Sequence, residues 1–198
     1  MKPVKFKIQH LSPRYRSVIA IAFIYFLLSG CLHHHKRLEP ETTAEAKLLQ
    51  GDLVTALGYQ DDEAERLAKT ALFTTRTLSQ KYRPARFPLF NNFLVHIGLK
   101  SRGLCCHWTE ELLNSLQDLE LKQFSIIWAV SNYGGFREHS SVAVIPANQP
   151  FENGLILDPW RNAGILYWGQ ISKDTYDWQP HPGHNNPTDS IECKADSN

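Results

Sequence analysis

Cys105 and Cys106 stand side by side at the head of a segment with helical periodicity, preceded by Gly103 and followed by Trp108. His139 opens a later run of alternating residues, and Asp158 closes a short apolar run just before Pro159. A thiol, an imidazole and a carboxylate in that order are the parts of a nucleophilic site. The thiolate attacks, the imidazole carries its proton, and the carboxylate orients the imidazole. A helix start suits the thiol, because unpaired backbone N–H groups and the helix dipole favour an anion there, and thiolate is the reactive form of cysteine. Helical register points Cys105 along the buried edge that Trp108 and Leu112 continue, with Cys106 as the alternative nucleophile. Adjacent cysteines pair with one another only under strain. A bridge from Cys105 or from Cys106 to Cys193, in the polar C-terminal stretch, is the structural role open to them.

The elements that must position these residues follow from periodicity. Ala46, Leu48, Leu49, Leu53 and Leu57 recur at helical spacing and Gly58 closes the run. Asp61-Asp62-Glu63 opens a second helix, with Ala64, Leu67, Ala68, Ala71, Leu72 and Leu78 on one stripe. Prolines 84 and 88 break it. A third helix runs over about 89–99, carrying Phe90, Phe93, Leu94 and Ile97, and beside it Asn91, Asn92 and His96 are candidates for helix caps, core hydrogen bonds or an oxyanion donor. The fourth begins at Cys105 and buries Trp108, Leu112, Leu113, Leu116 and Leu119. Alternation then predicts strands over 124–131, 139–145, 154–158 and 165–168, the third ended by Pro159. Helices first and an antiparallel meander afterwards make an α+β domain, in which the cysteine-bearing helix packs on a small sheet. From Gln179 the chain is rich in Pro, His, Asn and Asp, and residues 179–198 are expected to be a flexible tail.

The N-terminal end carries a different signal. Lys2, Lys5, Lys7, Arg14 and Arg16 make a basic leader, and 18–28 is an unbroken apolar and aromatic run. That run is short for a bilayer span, which needs about 20 residues, and fits the core of a signal peptide. Leu28-Ser29-Gly30-Cys31 resembles the lipobox of bacterial lipoproteins, which implies cleavage after residue 30 and lipidation of Cys31. With Leu32 rather than aspartate next, that resemblance implies a cell-envelope protein, anchored by lipid in the outer membrane and facing the periplasm. Residues 31–40, including His33-His34-His35, then read as a solvated tether, and 41–178 as one domain. The chain has 21 basic and 20 acidic residues. Without the five basic residues of the leader the remainder is acidic, and offers no footprint for nucleic acid. No metal or organic cofactor is indicated.

Between residues 98 and 168 the chain resembles the core of transglutaminase-like and papain-like thiol enzymes. In those families a Gly-x-Cys begins the long helix, an aromatic often stands three positions on, a histidine heads a strand, and an aspartate or asparagine ends the next. Gly103-Leu104-Cys105, Trp108, His139 and Asp158-Pro159 supply these parts. Leu99 and Lys100 stand in the region where papain-like enzymes carry a glutamine, and Ser140-Ser141 follows the histidine. The resemblance implies a cysteine hydrolase or acyltransferase with Cys105, His139 and Asp158 as nucleophile, base and orienting carboxylate, acting on a protein or peptide substrate. A catalytically inactive version that binds a partner, or a scaffold lipoprotein whose cysteine pair bridges to Cys193, is the alternative.

Overall fold

A computed structural model describes residues 43–58, 61–183 and 193. The leader, Cys31, the tether and most of the last fifteen positions lie outside the described residues. Four helices come first: α1 (Thr43–Leu57), α2 (Asp62–Tyr82), α3 (Pro88–His96) and α4 (Cys105–Gln117). Strands β1 (Phe124–Ser131), β2 (His139–Pro146), β3 (Leu155–Asn162), β4 (Ile165–Gln170) and β5 (Trp178–Pro180) follow, with single 3₁₀ turns at Phe151–Asn153 and Ile171–Lys173. The strands form one antiparallel sheet in the order β4-β3-β2-β1-β5. The protein is therefore α+β, with α4 packed on the sheet.

Each element begins for a local reason. Asp61 caps α2 by accepting the Glu63 N–H at 2.7 Å, and Asp62, Glu63 and Glu65 place negative charge at the positive end of the helix dipole. Helix α2 ends at Arg83 in the left-handed region (φ 45°), with its N–H on the Ser79 carbonyl. The α2 stripe meets Leu49 and Leu53 of α1, Leu112 and Leu116 of α4, and the sheet residues Phe124, Ile126, Trp128, Val142, Val144, Leu155 and Leu157 in the main core. The opposite sheet face buries Ala129, Ala143, Ile145 and Ile156 under Ile171 and Trp178. Two-sided burial explains why β2 is buried along its whole length rather than alternating.

Two sequence expectations are corrected. Pro159 does not end the third strand, because β2 pairs with β3 only as far as Leu157, so beyond it the missing N–H of proline costs no ladder bond to β2. The register with β4 shifts between Asp158 and Asn162, and Ala163 (φ 51°) and Gly164 (φ 91°) then make the two-residue hairpin turn. The second concerns only the described part of 179–198, namely 179–183 and Cys193; the rest lies outside the described residues. Trp178–Pro180 pairs with Ser131–Ala129 as an added outer strand, the His181 N–H donates to the Trp128 carbonyl at 2.9 Å, and Cys193 is bonded to Cys106. Trp178 supplies the apolar anchor that polar composition from Gln179 onward concealed.

The helical layer and the sheet are tied by a buried carboxylate. Glu63 accepts the backbone N–H groups of Lys122 (3.0 and 2.9 Å) and Gln123 (2.7 Å) at the start of β1. Truncating it leaves those donors unsatisfied. Glu63→Ala should cost about 2 kcal/mol, read as a lower urea midpoint at unchanged m-value.

Candidate active site

Helix α4 starts where Gly103 allows it to. Gly103 has φ 118°, and a Cβ there would collide with the Asn91 amide. Asn91 is buried on α3; its Nδ2 donates to the Gly103 carbonyl (3.0 Å), while its Oδ1 accepts from Ala85 N (3.1 Å) and Lys100 Nζ (2.9 Å). From inside the helix, His107 turns back and accepts the N–H groups of Gly103 and Leu104 on Nδ1, each at 3.2 Å. Burial first, and the nearby Arg102 charge second, push its pKa down to about 4, so the ring is neutral and can accept. Asn91 and His107 are thus committed to holding the loop before the cysteine. Asn91, buried with its amide on the Gly103 carbonyl, serves to hold that loop.

The cysteine pair is divided. Cys106 packs against the main core and is joined to Cys193, with Cα atoms 5.3 Å apart. Cys105, half-buried at the first position of α4, is the free thiol. As a disulfide partner Cys106 has no thiol with which to attack, which removes it as the alternative nucleophile in this oxidised form.

His139 and Asp158 meet through the register of the sheet. Val142 pairs with Leu157, which brings the start of β2 alongside the far end of β3. His139 Nε2 lies 2.7 Å from Asp158 Oδ2, and both side chains are buried. Asp158 has no exposed side-chain surface and gathers three more donors: the N–H groups of Trp160 and Arg161 on Oδ1, both at 3.1 Å, and Arg161 Nε on Oδ2 at 3.0 Å. The β3 irregularity allows this, by folding two following N–H groups back onto the carboxylate.

With Nε2 on Asp158, the Nδ1 edge of His139 is buried and has no aligned hydrogen-bond partner among the described residues. Cys105 is close enough to raise the proton affinity of the ring without lining up with Nδ1. Burial lowers the His139 pKa; the bond to Asp158, then the nearby Cys105 sulfur, and their charges more than offset it and lift it to about 9. The imidazole is therefore an imidazolium at neutral pH. Trp160, Tyr176 and Trp178 enclose it, with ring centroids 4.7, 4.8 and 5.2 Å away.

Arg161 and Asp174 are parts of the site that periodicity and spacing did not reveal. Arg161 donates through both terminal nitrogens to Asp174 (3.1 and 3.0 Å) while its Nε holds Asp158, and its guanidinium lies 3.9 Å over the Tyr167 ring. A bidentate fork of this kind both neutralises and orients. The fork holds the Asp174 carboxyl below its usual range although burial acts the other way. An arginine three positions after the candidate aspartate was the available signal, but an i,i+3 pair has no meaning along a regular strand. Asn92 is linked to the site too, since its Oδ1 accepts from Trp160 Nε1 at 3.0 Å, leaving its amide nitrogen as a donor.

Among the described residues no group of three or more His, Cys, Asp or Glu side chains is arranged to hold a metal ion. No family model, curated protein or solved structure matches the chain. The geometry therefore carries the functional reading.

The two buried histidines give stability opposite pH slopes. His139, raised from 6.5 to about 9, contributes fully below pH 6.5 and loses its contribution as pH rises through 9. His107, lowered from 6.5 to about 4, makes the fold lose stability as pH falls from 6.5 towards 4. Stability should peak near pH 6.5, with each limb of order 1–3 kcal/mol. Urea titrations across pH check this: His139→Gln should flatten the alkaline limb only, and His107→Asn the acid limb only.

Proposed function

We propose that the protein is a cell-envelope lipoprotein whose domain is a transglutaminase-like thiol enzyme, cleaving or transferring acyl groups at peptide or isopeptide bonds. The observation that carries this reading is the pairing of His139 Nε2 with Asp158, which leaves Nδ1 for Cys105, while the neighbouring cysteine is held in a disulfide. The order of parts along the chain, thiol at a helix start and imidazole at a strand start, supports the same class.

In this mechanism the Cys105 sulfur attacks as thiolate, its proton resting on His139. A C–S bond forms and the carbonyl π pair moves to oxygen. As the tetrahedral adduct collapses, the C–N bond breaks and His139 gives its proton to the leaving amine. Water or a second amine then attacks the thioester, losing its proton to His139, and the C–S bond breaks. Asp158 orients the ring and balances its charge, and Arg161 keeps Asp158 in place. Asn92, with an amide donor left over beside Trp160, is the candidate for stabilising the oxyanion.

Two measurements test the two halves of the proposal. With iodoacetamide, Cys105 should alkylate rapidly below pH 7, and His139→Ala should slow labelling there by roughly tenfold or more. Slow labelling with the pH profile of an ordinary thiol would mark a non-catalytic binding module. For the anchor, Cys31→Ser should abolish incorporation of labelled fatty acid and release the protein from membranes. Unchanged retention would mean an uncleaved apolar anchor.

A further inference from the structure

Helix α3 is built inside out. Its two asparagines face the protein, Asn91 buried and Asn92 half-buried against Trp160, while His96 is exposed. Leu94 and Val95 are half-buried, but its larger apolar residues face away, with Leu89 73 %, Phe93 53 % and Ile97 49 % exposed along one i,i+4 stripe, and Phe87 and Leu99 extending it at 65 % and 72 %. Phe90 stacks on Phe93, with centroids 6.2 Å apart, and is itself exposed. This segment holds a contiguous run of the exposed large hydrophobic side chains of the described residues, as marks a surface that is covered by something else.

Charge identifies what covers it. From Arg83 to Arg102 the chain has four basic residues and no acidic one, whereas the body without its leader is acidic. Lys100 is turned inward onto Asn91 and backbone carbonyls, and Arg102 leans on Glu110 and Glu111. Arg83 and Arg86 are exposed on the approach to α3, and the Arg86 guanidinium lies 5.7 Å from the Phe87 ring centroid. Aromatic and aliphatic side chains projecting from a short helix with arginines at its edge are the composition of an element that lies in a lipid interface, apolar groups among acyl chains and guanidinium groups at phosphates. At nine residues α3 spans about 13 Å, far too short to cross a bilayer.

We propose that α3 and its flanking loops are a docking element that seats the domain on an anionic bilayer surface, separately from any anchor at the N-terminus. Because Asn92 and Trp160 connect α3 to His139, such seating sets the candidate site one helix away from lipid. The proposal does not depend on the thiol chemistry.

The test uses the full chain, reconstituted into vesicles of phosphatidylcholine with phosphatidylglycerol, or of phosphatidylcholine alone. Benzoylphenylalanine in place of Phe93, or in place of fully exposed Phe136 on another loop, reports by photo-cross-linking what each position touches. Position 93 should acquire the mass of a phospholipid, position 136 should not, and the yield at 93 should fall roughly fivefold for each basic charge removed, as in Arg86→Gln, or on omitting the anionic lipid. Cross-links from 93 to residues 1–42, to a second copy or to no lipid, or equal lipid yields at 93 and 136, would overturn it. Circular dichroism verifies folding of each variant, and iodoacetamide labelling of Cys105 in the same samples reports the thiol reading independently.

Discussion

A carboxylate with no exposed surface organises this domain. Burying Asp158 would cost several kcal/mol if it were left unpaired, and the fold answers with two side-chain donors and two backbone N–H groups. Each draws another element to the same point: β2 through His139, and the segment after β4 through Arg161 and Asp174. The charges close as well. Two carboxylates and one guanidinium leave a single negative charge, which protonated His139 cancels; against the opposing effect of burial, Asp158 and the nearby Cys105 sulfur lift the His139 pKa to about 9. Structural satisfaction and an imidazolium poised as a proton donor are one arrangement.

Around that point the molecule separates rigid support from exposed surface. Asn91 and His107 clamp the backbone before α4 from two sides, so the thiol is presented by a loop with little freedom. The Cys106–Cys193 bond adds a covalent tie one residue further along, closing a loop of 87 residues, and such closure stabilises mainly by restricting the unfolded chain. Cys105 is spared from that tie although it is the immediate neighbour. Consecutive helical side chains point about 100° apart, so one faces the core and the bridge while the other faces the sheet end where His139 lies.

Much of this was legible in the residues, because it depends on short-range periodicity. Helical stripes over α1, α2 and α4 and the alternation of β1 to β4 specify α+β architecture without reference to anything distant, and Cys105 and His139 fall at element starts that can be read from glycine and turn signals, whereas Asp158 lies inside β3, which runs on through Pro159. Helix α3 shows the boundary of such reading. Its apolar spacing predicts a helix, and the helix forms, but periodicity does not say which side faces inward; here the asparagines do, because Gly103 and Trp160 offer them buried partners.

What tertiary structure alone decided are pairings between positions far apart in the chain. The pairing of Cys193 with Cys106 and not Cys105 joins positions 87 apart in the chain, which local periodicity does not encode. Arg161 and Asp174 became partners through an irregularity in β3 and a turn after β4, neither marked by composition. Local sequence determines elements because backbone hydrogen bonding and side-chain periodicity act over a few residues. The charge network of the site arises only when the sheet register sets separate segments within hydrogen-bonding distance, and that register is chosen by burial of both sheet faces at once.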